Sequence, residues 1–128
     1  MPNSIQTRIA NVKIDDNNIV IITLIEAINI DEMDILDLNL VVRNLSKHQP
    51  VLKLVDARVK WTISPTAKNR TLHEDRLNKT IARAIIVSSN LKATILTFLK
   101  KLETKQFPQK YFTDYKEAYN WLQSHKVS

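Results

Sequence analysis

Apolar and polar positions along the chain change period several times, and each period predicts an element. Arg8 to Ile14 alternates, with Ile9, Val12 and Ile14 set against Arg8, Asn11 and Lys13. That period-two pattern predicts a half-buried strand. Ile19 to Leu24 (IVIITL) is β-branched and nearly continuous in apolar residues, as in a strand covered on both faces. Only Asp15-Asp16-Asn17-Asn18 separates the two, so they should pair as an antiparallel hairpin. Asp31 is an N-cap residue for a helix to about Ser46, with Met33, Leu36, Leu40, Val41 and Leu45 as its apolar stripe. Asp31, Glu32, Asp34 and Asp37 crowd its first turns, where the helix dipole favours negative charge.

After Pro50, Val51 to Val55 (VLKLV) predicts a central strand. Asp56 to Asn69 is the least regular stretch. Ser64-Pro65 has the form of an N-cap followed by proline at the first helical position. Thr71-x-x-Glu74 is a rival start with capping-box spacing. A helix is expected over about 65–79. Ala82 to Val87 predicts another buried strand. Ser88, Ser89 or Asn90 would cap a helix whose stripe is Leu91, Ile95, Phe98, Leu99 and Leu102. Pro108 ends that region, and Lys110 to Phe112 predicts a short strand. A last helix, capped by Thr113 or Asp114, carries Tyr115, Ala118, Tyr119 and Leu122 on one face.

The predicted order is β-β-α-β-α-β-α-β-α. Alternating strands and helices imply parallel pairing through right-handed crossovers. The expected fold is therefore a single α/β domain over 1–128, built on a mixed five-stranded sheet. Its strands are mostly parallel, with an antiparallel first edge strand. No repeat or linker interrupts it.

Composition narrows the chemistry. The chain has 128 residues, no cysteine and no glycine. Without cysteine there is no disulfide, no thiolate nucleophile and no cysteine-ligated metal. Without glycine, a phosphate-cradling loop, a dinucleotide fingerprint and a nucleophile elbow cannot exist in standard form. Turns needing positive φ must use Asn or Asp, as in the DDNN turn. The N-terminal stretch lacks the apolar core of a signal peptide. The longest apolar run, near Ile19 to Ile25, is far short of the roughly 20 residues of a membrane span. A soluble, cytoplasmic protein without membrane insertion is expected.

Charge is uneven. Residues 1–56 carry 5 Lys and Arg against 8 Asp and Glu, and residues 57–128 carry 14 against 5. The halves could complement one another within the fold or between two copies. Lys53, Arg58, Lys60, Lys68, Arg70, Arg76, Lys79 and Arg83, with Trp61 among them, are expected to form a solvated basic surface. Stacking of single-stranded nucleic acid on that surface is the alternative. His48, His73 and His125 are scattered. His73 adjoins Glu74 and Asp75, but successive helical residues diverge by about 100° and cannot face one ion. Ser88 and Ser89 follow a strand, where helix capping accounts for them. Asp56, at the end of its strand and at the carboxyl edge of the sheet, should pair with Arg58 or cap the following turn; binding a polar ligand is the alternative.

The last third, ARAIIVSSNLKATILTFLKKLETKQFPQKYFTDYKEAYNWL, has a strand ending in small polar residues (Ile85 to Ser89). A helix with a phenylalanine follows, then Pro108, then Phe112-Thr113-Asp114 leading into a helix with Trp121-Leu122. With the leading hairpin, this resembles the STAS or SpoIIAA-like fold of anti-sigma factor antagonists, and the small bacterial STAS-like proteins of unassigned function. In those antagonists a serine after the third strand, in an Asp-Ser-Ser-Gly-like sequence, is phosphorylated. Here Ser64 and Pro65 stand at the first two positions, Thr66 at the phosphorylated one and Ala67 at the glycine. The resemblance implies a non-enzymatic regulatory or protein-interaction module. Its interaction or ligand loops would hold Asp56, Arg58, Trp61, Ser64, Thr66, Ser88, Ser89 and Asn90, with Thr66 as phosphosite. It implies no catalytic residues, cofactor or metal. The partner would be another protein or a second copy. A small-ligand sensor for lipid or nucleotide is a further alternative and would need a pocket between sheet and helices.

Overall fold

The computed structural model describes residues 4–26, 28–88 and 106–126. The expected hairpin is present, and its turn is held by one side chain. Asp15 Oδ1 accepts from the backbone N–H of Asn17 at 2.9 Å and of Ile19 at 3.0 Å. Asn18 takes the left-handed conformation there, φ 60°. The hairpin strands are β2 (Ala10–Ile14) and β3 (Ile19–Leu24). A short strand, β1 (Ser4–Gln6), precedes them and pairs antiparallel with β2. The Thr7 N–H, bonded to Ala10 O at 2.8 Å, turns β1 back. The sheet edge is thus β1, and the strand expected at the edge lies one place inward.

The main sheet runs β1-β2-β3-β5-β7-β8, where β5 is Val51–Asp56, β7 is Thr80–Ile86 and β8 is Gln109–Phe112. From β3 onward every pairing is parallel. Six strands stand where five were expected. Two further short strands, β4 (Ile28–Ile30) and β6 (Trp61–Ile63), form a separate parallel pair.

Helix α1 (Glu32–Ser46) starts at the predicted cap. Asp31 Oδ1 accepts from Asp34 N, and Asp34 Oδ2 accepts from Asp31 N, each at 2.9 Å. Its inward face agrees with the predicted stripe only in part. Val41 and Leu45 pack against the core as expected, Ile35, Asn39 and Val42 are buried beside them, and Met33 and Leu40 are exposed. Arg8, bonded to Asp34 through Nε at 2.7 Å, keeps Asp34 on the inward side and so sets the rotation. Helix α2 (Pro65–Leu77) starts at Ser64, whose Oγ accepts from Ala67 N at 3.1 Å; the Thr71 alternative lies inside it. It stops short of the predicted residue 79, where Lys79 turns left-handed at φ 52°. Helix α3 (Tyr115–Gln123) is capped by Asp114. The predicted helix from Leu91 to Leu102 lies outside the described residues. Lys47 and His48 also have positive φ, so left-handed turns are not confined to Asn and Asp.

Two apolar layers flank the sheet. One holds Val12, Val20, Ile22, Ile35 and Val42, under α1 and α2. The other holds Ile19, Leu52, Leu54, Ala84 and Ile86, under Ala118 and Leu122 of α3. Among the described residues no helix is long and apolar enough to cross a membrane.

Candidate functional site

Alternation along β5 and β7 sends successive side chains to opposite layers. Leu52, Leu54, Ala82, Ala84 and Ile86 face α3. Lys53 and Arg83 therefore point to the α1–α2 side, and the parallel register sets them side by side. Asp75 of α2 covers both. Lys53 Nζ donates to Asp75 Oδ1 at 3.0 Å, and Arg83 Nη1 donates to Oδ1 and Oδ2 at 2.8 and 2.7 Å. These three residues are only 3%, 3% and 6% exposed. The expectation that Lys53 and Arg83 belong to a solvated basic surface is thus corrected: both are core residues, held there by a carboxylate 22 residues from one and 8 from the other. Burial pushes the Lys53 ammonium below its ordinary value, against the opposing pull of Asp75.

The network extends further. Arg83 Nε donates to Gln109 Oε1 at 2.7 Å, and its guanidinium lies 5.2 Å from the Phe107 ring centre. Glu74, next to Asp75, is also buried, and its Oε2 has no hydrogen-bond partner among the described residues. Asn78 Nδ2 donates to Asn39 Oδ1 across the α1–α2 contact. An unpaired charge at such depth would be costly, so the pairing explains why cations can occupy the sheet interior.

The three charged groups form one end of a cavity of about 110 Å³. Ile22, Leu24, Val55 and Ile85 line it from the sheet, Ile35 and Leu38 from α1, and Thr71 from α2. Ile30, Ala57, Trp61 and Ile63 line it from the β4–β6 pair and the chain leading to it. Ile22, Leu24, Val55 and Ile85 stand near the ends of β3, β5 and β7, so the cavity reaches the carboxyl edge of the sheet. The carboxyl edge of a parallel sheet is the usual position for ligands in open α/β folds.

The predicted residues fall into distinct places. Asp56 ends β5 and is held bidentately by Arg58, with Nε to Oδ1 at 2.9 Å and Nη2 to Oδ2 at 2.7 Å. Trp61 is half-buried, and its indole Nε1 donates to Ala57 O at 3.3 Å. Ser64 is engaged as a helix cap. Thr66 is exposed one residue into α2, 3.2 Å from the Ser64 hydroxyl. It opens on a shallow groove with Glu32, Asn69, Arg70 and His73, not on the cavity. Ser88 is half-buried after β7. Ser89 and Asn90 lie outside the described residues. Of the described residues in this set, only Trp61 lines the cavity; Asp56 and Arg58 each adjoin the lining residue Ala57 in the chain. His73 is exposed while its neighbours Glu74 and Asp75 are buried, so the three do not share a face.

Comparison with known proteins adds the fold and little chemistry. A family model described as Domain of unknown function (DUF7793) matches residues 12–126. No curated protein matches. The structure of an uncharacterized protein from the DUF3478 family, with a SpoIIAA-like fold, from Shewanella loihica PV-4, superposes with a TM-score of 0.62. It shares 13% identity, and the match covers 92% of this chain and 98% of that one. The fold is SpoIIAA-like, in agreement with the resemblance drawn from the hairpin and the last third.

Proposed function

Because the chain belongs to the family described as Domain of unknown function (DUF7793), we propose from its own geometry that it is a non-enzymatic regulatory module acting by protein contact. The observation that carries this is the two-sided segment from Asp56 to Thr66. Its inner side, Ala57, Trp61 and Ile63, lines the cavity. Its outer side presents Arg58, Lys60, Thr62 and Thr66 to solvent at the carboxyl edge. A surface built on the wall of a cavity can report what lies inside. A photo-crosslinking residue at Thr62 should give a discrete protein adduct in the source cell that is lost with Arg58→Glu. The same residue at Lys116, on α3, should give none. Equal adducts at both positions, or turnover of a metabolite without any adduct, would sink the reading.

The cavity favours a second reading, a small-ligand sensor, in which occupancy changes the β4–β6 pair. Nucleic-acid binding draws less support. Lys53 and Arg83 are taken up by Asp75 and leave the basic surface two cations poorer.

A further inference from the structure

The cavity has one polar end and an apolar remainder, so its occupant should be amphiphilic and small. Hydrogen-bonding capacity at the polar end is one-sided. Asp75 already accepts three N–H contacts from Lys53 and Arg83. Lys53 has three N–H donors and uses one among the described residues. Arg83 has five and uses Nε and Nη1, while Nη2 makes no hydrogen bond there. The wall therefore offers donors, and the charged groups that line it are two cations and one carboxylate. Asn39, the other polar side chain at this end, has its amide on Ile35 O at 2.8 Å and its oxygen on Asn78. A head that accepts hydrogen bonds and carries one negative charge fits this end. A dianion fits less well, because Glu74 lies buried near Lys53 and already opposes added negative charge.

Size sets the tail. An apolar cavity of about 150 Å³ holds benzene, with its six non-hydrogen atoms, so a space of about 110 Å³ suits on the order of four or five non-hydrogen atoms. We propose that the cavity binds a short-chain monocarboxylate, its carboxylate on Lys53 and Arg83 and its alkyl chain among Ile22, Leu38, Val55 and Trp61. This rests on the sensor reading above and names the ligand class for it.

The test is a titration of the full chain with propionate, read by the NMR signal of the Trp61 indole N–H, which Trp61→Phe assigns. 1-Propanol and propylamine offer a similar tail with a neutral and a cationic head. Propionate should saturate the signal, with propanol at least tenfold weaker and propylamine inert. Lys53→Met should weaken propionate at least tenfold. Since Lys53→Met disturbs a buried ion group, Leu38→Phe supplies a variant that fills the cavity and leaves those ions intact. It should abolish binding while the chain stays folded. Propanol binding as tightly as propionate would overturn the carboxylate and leave the sensor reading standing. No saturation by any of the three, or propionate binding unchanged in folded Leu38→Phe, would overturn the site itself.

Discussion

Replacing Asp75 by Asn should be among the most damaging single changes to this protein that alter no apolar contact. The substitution keeps the volume but removes the charge that accepts Lys53 at 3.0 Å and Arg83 at 2.7 and 2.8 Å. All three partners are less than 8% exposed, so water cannot take over the role. Breaking a buried ion group by deleting one partner costs about 3–5 kcal/mol. With a urea dependence of about 1–3 kcal/mol per molar, the unfolding midpoint should fall by at least about 1 M. The loss should depend on pH. Burial already lowers the folded-state value of Lys53 below 10.5. Below that folded value the cost of holding a buried ammonium is present in full. It is relieved as pH rises towards 10.5, because the unfolded chain then binds the proton more tightly than the folded one. Without Asp75 the folded value drops further, so the deficit against wild type should be larger at pH 7 than at pH 9.5. Replacing all three residues together, Lys53→Met, Asp75→Leu and Arg83→Met, should cost much less than Asp75→Asn alone, since no charge is stranded. A deficit below about 1 kcal/mol at pH 7 would refute the reasoning.

Three further outcomes follow from the fold. Hydrogen bonding from Arg8 holds the Asp34 carboxyl below its usual value of 3.8; its contribution is present above that value and lost as pH falls below it, so urea midpoints of wild type and Asp34→Asn should converge in strong acid. Leu122 is fully buried and anchors α3 to the sheet, so Leu122→Ala should cost about 2–5 kcal/mol in the same assay. Lys47 closes α1 in a left-handed conformation, φ 55°, which glycine adopts without steric cost; Lys47→Gly should raise the thermal midpoint, by up to about 1 kcal/mol of stability.

Much of the fold was legible because its signals are local. Asp31 caps the helix it was expected to cap, and Ser64 and Asp114 are the ones chosen from the pairs Ser64 or Thr71 and Thr113 or Asp114; a cap needs only the next three residues, which keeps such signals local. Strand β3 was legible from its β-branched run and β5 from the apolar stretch after Pro50. The three-residue strands were not: Ser4–Gln6 is fully exposed, and a pattern so short has no period to read. The α1 stripe was right at Val41 and Leu45 and wrong at Met33 and Leu40, where a tertiary bond from Arg8 to Asp34, invisible in the local pattern, helps to set the rotation of the helix. The site was the least legible part. Lys53 in VLKLV reads as one of the basic surface residues even within a central strand, and nothing nearby says that a helix brings a carboxylate down onto it. One signal was available. Helix α2, PTAKNRTLHEDRL, is polar almost all round, and a polar helix against a sheet must bury some of its charges. Asp75 and Glu74 are those charges.

The central claim is that the cavity behind Trp61 at the carboxyl edge is a binding site whose wall is also the contact surface. The most direct measurement is a map of backbone amide shifts across the full chain as propionate is added. The account predicts saturable shifts concentrated at residues 57–63, Thr71 and Ile85. Shifts confined to the opposite edge, around Asp15 to Asn18, or scattered over exposed lysines without saturation, would contradict it.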